Sequence, residues 1–88
     1  MNEKDWEKKL REEGFRNVYV WSDGPNANYP EHTHPVTTAH IVLDGEMTLT
    51  TKGKAQTFRP GERFDVPAHT VHSARIGPRG CQYMIGEK

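Results

Sequence analysis

Turn signals at regular intervals constrain the fold of this chain more than any other feature of its sequence. From about residue 16 onward, short strand-like runs alternate with short segments typical of turns. The runs cover residues 17–21, 38–43, 47–51, 55–58, 63–66, 71–76 and 81–85, and the turn signals include Asp44-Gly45, Lys52-Gly53-Lys54, Pro60-Gly61 and Gly77-Pro78. Strands spaced by about 8–12 residues are typical of an all-β sandwich or barrel. Segment 22–30, rich in Gly, Pro and Asn, is predicted to be a loop.

A short α-helix is predicted in front of the strands, over residues 3–13, because this segment is rich in helix formers. Asn2 can cap its start. Gly14 stands where a left-handed residue ends many helices, and Phe15 beyond it can contact Leu10. The apolar face of this helix is narrow, so we expect the helix to lie on the surface of the β structure.

Length and composition exclude several classes of protein. The 88 residues point to a single domain spanning 1–88, with its barrel over about 16–86. Lys and Arg equal Asp and Glu at 12 each, which argues against a nucleic-acid or membrane partner. Cys81 is the only cysteine, so the chain cannot form an internal disulfide or a cysteine-rich zinc module. We expect a cytoplasmic protein, since small secreted domains usually rely on disulfides and no signal-like apolar run is present.

The histidines indicate a metal site. His32 and His34 are two residues apart, so in a strand they share a face, with about 7 Å between them along the backbone. His72 shares its strand face with Ile76 and is predicted to point inward, and His40 lies in an apolar run. A single inward histidine is commonly satisfied by a backbone carbonyl, but four imidazoles facing one interior favour a metal ion.

Two blocks of the sequence resemble the motifs of small single-domain cupins. The resemblance covers roughly residues 26–76 and rests on six positions in register: His32, His34 and Gly45 in the first block, and Gly61, Pro67 and His72 in the second. The sequence departs from the motifs at Asn26, Thr38, His69 and Ile76, and Thr38 stands where the family has a glutamate ligand. At position 69, histidine replaces the glycine of the motif. This implies a turn that histidine can adopt, such as one with a left-handed backbone conformation.

The resemblance implies a jelly-roll β-barrel that holds a divalent transition metal, iron, manganese, nickel, zinc or copper, inside one mouth. Its implied ligands are His32, His34 and His72. We predict His40 as the fourth ligand in place of Thr38; the alternative is that His40 hydrogen-bonds a bound molecule or a carbonyl. Further pocket candidates are Tyr29, Thr38, Cys81, Tyr83 and Met84.

Two functions remain open from the sequence. The first is a metal-dependent, oxygenase-like enzyme acting on a small organic substrate. The second is a non-catalytic cupin module that binds a metal or small ligand for sensing or stability. Strand 17–21, apolar on both faces, suggests a subunit interface, and a homodimer is expected.

Overall fold

A computed structural model describes all the residues of the chain, 1–88, as one short helix and six strands. The elements are α1 (Glu3–Glu12), β1 (Asn17–Asp23), β2 (Asn28–His32), β3 (Thr38–Thr51), β4 (Lys54–Phe58), β5 (Arg63–Val66) and β6 (His72–Glu87). All strand pairs are antiparallel, in the order β1-β6-β3-β4, with β2 also on β6 and β5 also on β3. The predicted all-β fold with an N-terminal helix is confirmed. The helix is not long and apolar enough to cross a membrane.

Both ends of α1 are fixed by local contacts that the sequence predicted. The Asn2 side chain accepts a hydrogen bond of 2.9 Å from the Asp5 backbone N–H at the start. At the end, Gly14 adopts a left-handed φ of 98°, and the Phe15 N–H donates to the Leu10 carbonyl at 3.0 Å. Leu10 and Phe15 are both buried. This combination of a reversed hydrogen bond and an apolar contact is a common way to end a helix.

Two predicted turns are wrong, because Asp44-Gly45 and Gly77-Pro78 lie inside continuous strands. β3 and β6 run through these positions and pair with each other over most of their length. Irregularities in the register interrupt the pairing around Gly45, whose φ is 78°. A dipeptide that favours a turn also fits a β-bulge, where an extra residue bends the strand without ending it.

The bulge in β3 changes which residues face the interior. Before it, Thr38, His40 and Val42 point inward; after it, Met47 and Leu49 do. Since side chains alternate along a strand, an extra residue reverses the inward parity from even to odd positions. The same change occurs in β6, from even positions such as Ile76 to odd ones such as Tyr83.

The buried apolar side chains form two clusters on opposite faces of the sheet. The inner cluster contains Val42, Met47, Phe58, Phe64, Val66, Ile76, Cys81 and Tyr83. The outer cluster contains Leu10, Phe15, Ala39, Ile41 and Met84, so α1 covers the outer face of β3 and β6. Arg63 of β5 connects the helix end to the sheet, with bonds of 2.7 and 2.9 Å to the Glu13 carboxylate. The helix therefore covers the sheet on the face opposite the histidines.

Candidate metal centre

Three histidines from different segments meet at one end of the barrel. His32 ends β2 and His72 begins β6, and the two are direct partners in the β2–β6 pairing. The turn around His69 fixes the third, His34, through a backbone hydrogen bond of 2.8 Å from the His69 N–H to the His34 carbonyl. The possible ligand atoms of the three histidines all lie within 4.8 Å of one another. We call this group the three-histidine cluster.

Hydrogen bonds orient two of the three rings. His32 Nδ1 lies 2.7 Å from the Pro30 carbonyl oxygen, and His72 Nδ1 lies 2.9 Å from the Thr70 carbonyl oxygen. A carbonyl oxygen only accepts hydrogen bonds, so each Nδ1 carries the proton and each Nε2 keeps its lone pair. A ligand histidine in metal sites usually donates its other N–H in this way.

The third ring is held in its neutral form by its surroundings. Burial, and then the charges that His72 and His32 would carry, lower the pKa of His34 below its ordinary value of 6.5. Only neutral imidazole coordinates a metal, so this environment favours the binding form. His34 Nδ1 is buried and has no hydrogen-bond partner.

Unpartnered polar atoms concentrate around this cluster. The buried side-chain atoms without a partner are His34 Nδ1, Thr38 Oγ1 and His40 Nδ1, and all three residues line one pocket of about 350 Å³. Native proteins pair the large majority of their buried polar atoms, so three exceptions in one place indicate a bound group. Three imidazoles suit a divalent transition metal better than magnesium or calcium. The residues present therefore fit the metal that the sequence predicted.

His40 lies in the same pocket but outside the three-histidine cluster. Its ring stacks on Phe64, with centroids 4.5 Å apart and planes 10° from parallel. Burial lowers the pKa of His40 from 6.5 to about 4, so the ring is neutral at pH 7. Coordination of a metal by His40 stays a prediction.

The structure separates the other pocket candidates into two groups. Tyr29, Thr38 and Tyr83 line the pocket, but Met84 and Cys81 do not. Met84 points to the outer cluster beneath α1, because neighbouring residues of a strand face opposite sides. Cys81 lies in the inner cluster but does not line the pocket, and burial raises the pKa of its thiol to about 11. Placing Met84 and Cys81 in the pocket was wrong.

A carboxylate that sequence reasoning missed fixes two pocket tyrosines. Asp23 accepts hydrogen bonds of 2.7 Å from both the Tyr29 and the Tyr83 hydroxyl groups, and one of 3.1 Å from Trp21 Nε1. Burial, and then the bond to Asp23, raise the pKa of Tyr29 and Tyr83 above 10. These phenols therefore stay protonated and act as fixed walls of the pocket.

Glu87 is the only carboxylate that lines the pocket, and no local sequence pattern indicated it. Its Oε1 accepts a hydrogen bond of 2.7 Å from Asn17 Nδ2, and its Oε2 accepts one of 3.2 Å from the Tyr19 hydroxyl. The fifth histidine, His69, is exposed and takes the left-handed φ of 64° expected at the glycine position of the motif.

Fold and site together define a small β-barrel with a three-histidine cluster in an aromatic-walled pocket. A model of the cupin domain family matches residues 19–77. The chain belongs to the cupin family, and the jelly-roll type of β fold predicted from the sequence is confirmed.

Known proteins similar to this chain differ widely in activity. Quercetin 2,3-dioxygenase of Bacillus subtilis is 38% identical over 61 residues, which are 67% of this chain and 18% of the dioxygenase. A cupin-2 domain protein of Shewanella frigidimarina superposes with a TM-score of 0.70 at 20% identity, over 80% of this chain and 67% of that one. The DMSP lyase DddQ of Ruegeria pomeroyi gives 0.73 at 24% identity, over 81% and 36%. The two solved structures show the shared fold only, and a fold does not select a reaction.

Proposed function

We propose that this protein is a metal-dependent enzyme of oxygenase type that acts on a small organic molecule. One observation carries the proposal: the three-histidine cluster and a largely hydrophobic wall line the same pocket. The volume of about 350 Å³ is within the range of small-molecule sites. The similarity to quercetin 2,3-dioxygenase supports an aromatic hydroxylated substrate, although the chain matches only 18% of that enzyme.

The residues of the chain have distinct roles in this proposal. His32, His34 and His72 hold the metal. Hydrogen bonds to backbone carbonyl oxygens fix the orientations of the His32 and His72 rings. When bound, the metal supplies a Lewis-acid or redox centre for the substrate. Phe64 and Tyr83 offer ring faces and edges to a planar molecule. The apolar wall excludes water and so strengthens the polar contacts that a bound substrate makes.

A second candidate function is a non-catalytic module that binds a metal or small ligand. The partial exposure of His32 and His34 supports it, because an accessible metal exchanges readily with solvent. The pocket volume favours catalysis, since a structural site needs no cavity of that size.

Metal content and oxygen uptake distinguish the two functions. The purified chain, made without a metal-affinity tag, is loaded in turn with Fe²⁺, Mn²⁺, Ni²⁺, Zn²⁺ or Cu²⁺, and oxygen consumption is followed with quercetin and simpler phenols. The enzyme proposal expects one metal per chain and substrate-dependent oxygen uptake with at least one redox-active metal. Stoichiometric metal with no turnover of any of these compounds would favour the binding module.

We also propose a homodimer that associates through β1, in a cytoplasmic setting. Val20 and Trp21 of this strand are 37% and 51% exposed, and exposed apolar side chains on an edge strand favour pairing with another chain. Sedimentation velocity of the chain and of Val20→Lys tests the association. We expect a dimer for the first and a monomer for the second.

A further inference from the structure

A carboxylate near the three-histidine cluster would stabilise the charge of a bound metal ion. Neutral imidazoles bring no negative charge, and a divalent cation in a largely apolar pocket is costly unless a carboxylate compensates for it. Glu87 is the only acidic residue among the residues that line this pocket. The other pocket groups that could lose a proton are Tyr19, Tyr29 and Tyr83, and burial raises the pKa of each.

Strand register brings Glu87 to the side of the pocket where the polar atoms have no partner. Glu87 on β6 is the direct cross-strand partner of Thr38 on β3. Directly opposite side chains of an antiparallel pair lie on one face, with Cβ atoms about 4.5–5.5 Å apart. The hydroxyl of Thr38 is one of the three unpartnered buried atoms. The negative charge of Glu87 also acts on His34, where it opposes the lowering of the pKa by burial.

The known contacts of Glu87 do not use its full capacity as an acceptor. Asn17 binds one oxygen and Tyr19 binds the other, by one hydrogen bond each. A carboxylate has about four lone-pair sites, so each oxygen can accept one further donor or ion. A purely structural role, in which Glu87 only connects β1 to β6, would use the Asn17 contact and nothing in the pocket.

We propose that the carboxylate of Glu87 lies beside the metal site formed by His32, His34 and His72 and compensates for the charge of the bound ion. This inference rests on the proposed metal binding and adds an acidic residue to it. The three imidazoles then coordinate a divalent cation, and Glu87, which lies outside the group of ligand atoms within 4.8 Å of one another, provides the negative charge beside it.

The test measures the affinity of the metal-free protein for Zn²⁺ by competition with a chromogenic chelator. Glu87→Gln keeps the shape and one acceptor oxygen but removes the charge, and we expect it to weaken Zn²⁺ binding by at least about 10-fold, the lower end for residues that support a metal site. Two variants serve as controls. Glu31→Gln removes the same charge from an exposed position beside His32, and Asn17→Ala removes the 2.7 Å contact to Glu87 while the carboxylate remains.

Both controls are expected to bind Zn²⁺ within about threefold of the unchanged protein. Equal affinity for Glu87→Gln and the unchanged protein would overturn the assignment of Glu87 and leave the metal site itself intact. Equal losses in Glu87→Gln and Asn17→Ala would overturn it as well, since they would show that the connection between β1 and β6 is what matters. An unchanged protein that binds no Zn²⁺ would overturn both this inference and the proposed function.

Discussion

The five histidines of the chain differ in what their ring nitrogens contact. His32 and His72 each donate one N–H to a backbone carbonyl, His34 and His40 each keep a buried nitrogen without a partner, and His69 is exposed on a turn. A buried nitrogen without a partner costs about 1–3 kcal/mol. Buried histidine nitrogens without a partner occur only in the pocket, as expected for side chains that bind a ligand.

His72→Ala is expected to abolish stoichiometric metal binding, because it removes one of three imidazoles whose ligand atoms lie within 4.8 Å of one another. If His40 coordinates, as predicted from the sequence, His40→Ala causes a comparable loss; a loss of only about 10–100-fold would instead assign His40 to the surroundings of the site. His69→Asn is the matched control, since asparagine tolerates the left-handed φ of 64°. Metal content after dialysis measures all three, and metal loss from the control would contradict the assignment.

The metal-free protein is expected to lose stability as the pH falls from about 6.5 towards 4. His40 has a folded pKa of about 4 against 6.5 when unfolded, so in this range the unfolded chain binds the proton and the folded chain does not. The stabilisation is fully present above pH 6.5, and about 2 kcal/mol of it is lost at pH 5. The positive charge would be buried near His34 and His72, and Asp65 is the only nearby charge that opposes the lowering of the pKa.

Urea denaturation at pH 7 and pH 5 measures this loss. His40→Gln does not titrate, so its free energy of unfolding should fall by less over the same interval. An equal fall in both proteins would show that His40 is not the group responsible.

Sequence reasoning found the histidines but not the two carboxylates near the pocket. His32, His34 and His72 stand in short motifs that can be read along the chain. The hydrogen bond between Asp23 and Tyr83 joins residues that are 60 apart in the sequence, and the one between Glu87 and Asn17 joins residues that are 70 apart. Such contacts depend on strand register, which local sequence patterns do not determine.

At the scale of elements, the sequence predicted the helix and most strands, but it placed residues 28–30 of β2 in a loop and divided the two longest strands. The cap at Asn2 and the reversal at Gly14 involve residues close in sequence, so local patterns were sufficient. The continuity of β3 through Asp44-Gly45 depends instead on pairing with β6. The same dipeptide would end a strand that had no such partner.

Gly45→Ala is expected to destabilise the protein by at least about 3 kcal/mol, because two mechanisms act together. A Cβ at this position would lie 2.1 Å from the Gly80 carbonyl oxygen, and φ is 78°. Gly53→Ala is the matched control, since Gly53 has a φ of 76° but open space around it. Its cost should be only about 1–2 kcal/mol. Urea denaturation of both variants measures the difference, and equal costs would show that the contact with Gly80 does not constrain the bulge.

At the scale of the whole molecule, a chain of 88 residues has a modest core and gains much from a bound ligand. Zn²⁺ at 100 times its dissociation constant should stabilise the folded state by about 2.7 kcal/mol. For a domain of this size, that corresponds to a rise in melting temperature of roughly 10–20 °C. Thermal unfolding with Zn²⁺ and with excess chelator measures the rise. The variant His72→Ala should show none, and a similar rise in that variant would place the binding elsewhere.

The position of β6 also determines when a newly made chain can fold. β6 lies between β1 and β3 and also pairs with β2, so three of the other five strands depend on it. Its residues, His72–Glu87, are synthesised after those of α1 and the other five strands. At about 5–20 residues per second, the ribosome exposes the histidine pair and the apolar strands for some seconds before their partner exists. During that interval β1 and β2 have no partner strand, and a product truncated before residue 72 cannot form their part of the sheet.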